Sequence, residues 1–186
     1  MGKLPDLLRV VLARLEDQPA SLPDLHLLRQ VREAEQDRPG AADAARRLYA
    51  ADPQSVSPFE VAMACQAADE YDRAAEFIEK TPPHEWPADA AASVVACYRA
   101  LGRMEKLEEF AAELGVSSLD PALRTYREGQ LLLEAGDAAR AIPLLEQAGE
   151  LPNVPWERTR ARAYAAVGRT DDAVAALEAS LRSQGN

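Results

Sequence analysis

The chain has 186 residues, of which 47% are hydrophobic but only 5% aromatic, and its formal net charge is −10. That length sustains one continuous core, and an alanine-rich sequence without β-branched or aromatic runs favours helices over strands. The acidic balance excludes general binding to a polyanionic duplex, which depends on neutralising phosphates, so no nucleic-acid partner is expected.

The acid is unevenly spread: residues 55–119 hold 12 acidic against 5 basic residues, whereas residues 120–186 hold 10 against 8. The N-terminal Leu/Val segment is interrupted by Asp6, Arg9 and Arg14, so it does not read as a leader, and no run approaches a membrane span. Cys65 and Cys97 are too few for a disulfide framework and read as small buried hydrophobes. A cytoplasmic protein without membrane contact or cofactor is the simplest expectation.

Taken in order, Leu4, Leu7, Leu8, Val11, Leu12 and Leu15 form one stripe at helical spacing and predict a first helix over Leu4–Leu15. It either caps the later helices or lies in a concavity. A second helix starts near Pro23 and stops at Arg38-Pro39-Gly40; a third runs from about Ala41 to Ala51. Ser57-Pro58-Phe59-Glu60 reads as a capping box with proline in the first helical turn, and Asp120-Pro121 repeats that logic. Trp86-Pro87 and Val154-Pro155 mark two more starts, and Thr170-Asp171-Asp172 opens the last helix with charges that complement its dipole. Pro143 falls inside a predicted helix over 137–149, which implies a bend or a loose first turn.

The prolines at Pro23, Pro58, Pro87, Pro121 and Pro155 are separated by 35, 29, 34 and 34 residues. Each precedes an apolar-rich stretch and then a turn, at Gly40, Asp69, Gly102, Gly136 and Gly168. A period near 34 fits two helices and two short turns. The predicted organisation is an N-terminal helix within residues 1–22, then units over about 23–53, 55–84, 87–118, 120–152 and 154–186.

Around the turns the spacing resembles that of tetratricopeptide repeats (TPR). Tyr98 and Tyr164 stand four residues before Gly102 and Gly168, with Leu132 in that place before Gly136. Gly129 lies seven before Gly136, and Ala74, Ala141 and Ala173 lie five after their turns, where the family has small residues. Leu145 and Leu177 fill its large apolar position, whereas Leu107 and Arg160 depart from the pattern. The resemblance covers residues 55–186 well and 23–54 poorly. It implies an all-α fold, a right-handed superhelix of antiparallel helix pairs, acting as a non-catalytic adaptor for a protein or peptide.

In that family the first helix of each pair lines a concave groove. Carried onto this chain, the groove comprises Phe59, Met63, Gln66, Arg99, Tyr126, Arg127, Gln130, Leu133, Arg158 and Arg162, with Ala92 and Ala96 between. The second helices carry acid instead, such as Glu105, Glu108, Glu109 and Glu113. Guanidinium forks suit carboxylates, so an acidic or carboxy-terminal peptide is the expected ligand. The Lys/Arg/Asn clamp by which some members hold chaperone tails is not expected: Asn153 and Asn186 lie off the inner faces, and no lysine follows Lys106.

Catalysis is not expected. His26 and His84 are the only histidines, and no metal-ligand spacing or phosphate loop is present. Trp86 and Trp156, each beside a helix-starting proline, read as anchors between repeats or as a platform at the groove edge. The alternative to an adaptor is a homodimer through the last helix, whose Ala173, Val174, Ala176, Leu177 and Leu181 leave little polar face.

Overall fold

The computed structural model describes residues 3–117, 119–151 and 154–184. Among them are eleven α-helices, one short 3-10 turn and no strand. They form two compact units, residues 1–81 and 82–186.

In the first unit α1 (Lys3–Asp17) buries Val11 and Leu15 and packs on α2 (Leu22–Ala34), which pairs with α3 (Arg38–Ala51). A second pair, α4 (Pro58–Ala67) and α5 (Tyr71–Ile78), comes next, with α4 against α3. The second unit opens with the 3-10 turn Pro83–Glu85. Beyond it are three helix pairs: α6 (Ala90–Ala100) with α7 (Glu105–Gly115), α8 (Pro121–Ala135) with α9 (Ala138–Ala148), and α10 (Trp156–Ala166) with α11 (Thr170–Gln184). The turns within pairs are too short for anything but antiparallel neighbours. These are the all-α helix pairs expected from the sequence.

One backbone device closes every pair. A single left-handed residue ends the first helix, and the next N–H returns to the carbonyl five residues back, satisfying a carbonyl the helix end would orphan. Glu70 donates to Cys65 (2.9 Å), Arg103 to Tyr98 (2.9 Å), Asp137 to Leu132 (2.9 Å) and Arg169 to Tyr164 (2.9 Å). The left-handed residues are Asp69, Gly102, Gly136 and Gly168, at the expected turns.

The first pair corrects the sequence reading. Its left-handed residue is Gln36 (φ 58°), and Asp37 N donates to Arg32 O (2.9 Å). Arg38, Pro39 and Gly40 therefore start α3 instead of stopping α2. Asp37 caps it, accepting from Gly40 N (3.0 Å), and Pro39 sits in the first turn, where no helical acceptor is lost. Counted from Gln36, Ala41 joins Ala74, Ala141 and Ala173 five residues after a turn, and all four are buried.

Other starts are set by side-chain chemistry. Ser57 and Glu60 form the capping box in both directions, at 3.1 and 3.0 Å. Asp120 accepts from Ala122 N (3.0 Å) and Leu123 N (3.3 Å). Two proline starts move: α6 begins three residues after Pro87, and Pro155 is the cap of α10. Asp137 caps α9 through Arg140 N (3.1 Å), so the first turn ahead of Pro143 is held, and α9 runs on through the proline to Ala148.

Small residues set how closely paired helices approach. At Gly129 an added Cβ would stand 3.0 Å from Leu145 Cγ and 3.3 Å from the Ala141 carbonyl oxygen. In the preceding pair Leu107 replaces the alanine, and a wedge of rings fills the wider gap. Phe110 meets Trp86 at 5.0 Å and Tyr98 at 5.4 Å between centroids, both edge to face. Gly129→Val is expected to lower stability by about 1–3 kcal/mol, the usual range for overpacking, read as a lower urea midpoint at unchanged slope.

Candidate functional site

Within the second unit α8 lies beside both α6 and α10, so the first helices of three pairs share one face. Its centre is Glu134, a residue the sequence reading did not select. Arg99 on α6 donates through Nη2 to the Glu134 carbonyl oxygen (3.1 Å), and Arg162 on α10 meets its carboxylate at 2.8 Å. The Glu134 side chain is 15% exposed and that of Arg162 59%, so the arginine's outer edge still faces water. Arg158, one turn earlier on α10, is exposed and has no ion-pair partner among the described residues. Gln130, one turn before Glu134, is half-buried beside Trp86, Pro87, Ala91 and Arg127 around a small cleft.

The other expected groove residues have different surroundings. Tyr126 is 1% exposed, and its hydroxyl meets Thr159 Oγ1 at 3.0 Å, tying α8 to α10. Burial pushes its phenol pKa up. Leu133 and Phe59 are also buried. Arg127 is half-buried and donates through Nη1 to the carbonyls of Trp86 (2.8 Å) and His84 (3.3 Å), fastening the 3-10 turn to α8. Burial pulls its pKa below the ordinary guanidinium value, because no carboxylate compensates it. Met63 and Gln66 are half-buried on α4, in the first unit.

The arginines of the last pairs are otherwise largely engaged within the fold. Arg124 donates to Ser117 O (3.3 Å). Arg160, at a position where the resemblance implies a buried leucine, lies 4.3 Å over the Trp156 ring, bonds Tyr164 Oη (3.1 Å) and pairs with Glu157 (3.2 Å). Its planar cation takes the place of an apolar side chain. Both tryptophans are anchors: Trp86 is 4% exposed, and Trp156 donates from Nε1 to Leu145 O (2.6 Å). Ala92 and Ala96 are exposed on α6. On α7, Glu105, Glu108, Glu109 and Glu113 are all exposed.

Cys65 and Cys97 are buried and unlinked. Cys65 Sγ accepts from Arg46 Nη1 (3.6 Å), and burial pushes its thiol pKa up, so it is no activated nucleophile. Among the described residues no group of three His, Cys, Asp or Glu could hold a metal ion, and no helix is long and apolar enough to cross a membrane. Asn153 and Asn186 lie outside the described residues.

This face, built from the first helices of successive pairs, defines a helical-repeat protein of TPR-like architecture. Solved structures with the same fold include BtubC from P. vanneervenii (17% identity; 98% of this chain and 88% of that one; TM-score 0.57). Nearly identical TPR-like repeats from Podosopora anserina, assigned to a kinesin light chain, match at 20% identity (89% and 96% covered, TM-score 0.56). MamA matches at 16% identity (87% and 90% covered, TM-score 0.51). No protein-family model matches the sequence, and no curated protein matches it.

The two arginines separate structural from exposed roles. Arg127→Ala is expected to destabilise the chain by about 1.5–3 kcal/mol, through lost charge-assisted bonds to carbonyls. Arg158→Ala is expected to stay within about 0.5 kcal/mol of the parent. Thermal and urea unfolding of both variants test this.

Proposed function

We propose that the chain is a non-catalytic protein-interaction module whose α6–α8–α10 face takes an acidic peptide segment. The supporting observation is the convergence of Arg99 and Arg162 on Glu134, with Arg158 one turn away and without an ion-pair partner among the described residues. An incoming carboxylate meets Arg158 without displacing anything and reaches the exposed edge of Arg162. Glu134 then acts as an internal competitor: it holds Arg162 in place while the face is empty and repels a ligand's negative charge. The acid on α7 adds selectivity, because an anionic peptide is repelled from that helix and favoured on the arginine face. Burial removes Phe59, Tyr126 and Leu133 from direct contact, so recognition rests on Arg158, Arg162, Arg99 and Gln130.

Fluorescence anisotropy with a labelled Glu/Asp-rich peptide bearing a free C-terminal carboxylate tests this. Arg158→Ala with Arg162→Ala is expected to weaken binding at least about ten-fold, the equivalent of one charge-assisted contact. Glu134→Gln is expected to tighten it several-fold by relieving Arg162. Any binding of a lysine-rich peptide of equal length should not depend on Arg158 or Arg162, because the acid on α7 would attract it instead. Equal affinity in all variants would remove the arginine face from the reading.

A further inference from the structure

The repeat leaves one face open that it covers elsewhere. Six and nine residues after their turns, α3 presents Ala42 and Ala45, both 0% exposed, and packs against α4. At the same positions α9 presents Ile142 and Leu145, at 8% and 0%; Leu145 lies against Gly129 of α8, and α9 packs against α10 as well. On α11 those positions are Val174 and Leu177, which are 49% and 47% exposed, and Leu181 one turn further is 71% exposed. The stripe therefore has the composition of a helix-packing face but stands in solvent.

Its flank indicates what fits. Asp171, Glu178 and Arg182 are spaced by seven and eleven residues, close to whole numbers of helical turns, so they run along one side of the stripe. All three are exposed and have no ion-pair partner among the described residues. We propose that α11 docks on α11 of a second copy in an antiparallel, two-fold pair through Val174, Leu177 and Leu181. With Val174 opposite Leu181 of the second copy, the same flanks of the two helices face each other. Arg182 then falls within two residues, about 3 Å along the axis, of Asp171 of the second copy. Symmetry makes that contact twice.

Near the two-fold axis Glu178 faces its own equivalent and opposes the pairing. Parallel pairing sets Arg182 level with its own equivalent. Docking on α1 instead, whose Leu4, Leu7 and Val10 are also exposed, meets Asp6 and Arg9 already paired to each other at 2.9 Å. One helix pair is small against the roughly 1,200–2,000 Å² of a stable interface, so the dimer is weak and concentration-dependent. This surface is separate from the arginine face, and neither proposal depends on the other.

Sedimentation velocity of the full chain from about 5 to 500 μM tests the proposal, a range that spans weak dimerisation. A monomer–dimer equilibrium without larger species is expected. Leu177→Asp with Leu181→Asp should leave only monomer, with unchanged helical circular dichroism because both residues face water. Asp171→Arg or Arg182→Asp alone should weaken dimerisation about five-fold, and the two together should restore it to within about two-fold. Glu178→Gln should tighten it about two-fold, the usual size of one relieved like-charge contact. Monomer at every concentration would overturn the proposal, as would dimer surviving the Leu177/Leu181 change. Failure of the exchanged pair to restore association rules out the antiparallel alignment. Growth beyond dimer also overturns it, assigning the contact to α1.

Discussion

A single backbone hydrogen bond, made once per helix pair, organises the chain. It requires one residue to adopt a left-handed conformation and the next N–H to turn back onto the helix just completed. Those residues, Gln36, Asp69, Gly102, Gly136 and Gly168, succeed one another at 33, 33, 34 and 32 residues. Positions counted from them carry the packing: a small residue five later in every pair but that of Leu107, and nine later Ile78, Leu145 or Leu177 in three pairs, with Ala45 and Ala111 in the other two. Where the small residue is kept, backbones nearly touch, as at Gly129. Where Leu107 replaces it, three aromatic rings occupy the space. The turn sets the helix order, and the side chains beyond it set the distance.

Most of this was legible in the sequence because the conformational demand and the residue type coincide. Glycine tolerates the left-handed region, and aspartate does so more readily than most residues, so four of five turns could be located directly. Glutamine has no such preference, which hid Gln36 and drew attention to Gly40. There the missing side chain serves proximity: a Cβ would stand 2.3 Å from Asp37 Oδ2 and 2.8 Å from Arg32 Cδ, so glycine leaves room for the cap and its ion pair. Pro87 and Pro155 marked helix starts only approximately, since a proline tolerates places just outside a helix as well as its first turn.

The interaction face was less legible, for an electrostatic reason. Spacing assigns a side chain to one side of a helix, but arginine is long enough to choose among several acceptors once there. Arg127 turns to the carbonyls of His84 and Trp86, Arg160 lies on an indole, and Arg158 has no ion-pair partner among the described residues. Glu134 is not legible in the sequence because a carboxylate among arginines has the pattern of an ordinary surface residue; only the fold brings Arg99 and Arg162 to it. Tyr126 and Leu133 share its helix, but they pack inward, where an aromatic or leucine contributes more by being buried.

The two anchoring indoles also have a spectroscopic consequence. Trp86 and Trp156 are the chain's only tryptophans, and both belong to residues 82–186. Intrinsic emission excited at the red edge therefore comes from that segment alone. Tyr49 and Tyr71 are the only aromatic chromophores besides phenylalanine in residues 1–81. Tryptophan light thus originates wholly in residues 82–186, and the first five helices carry no indole of their own.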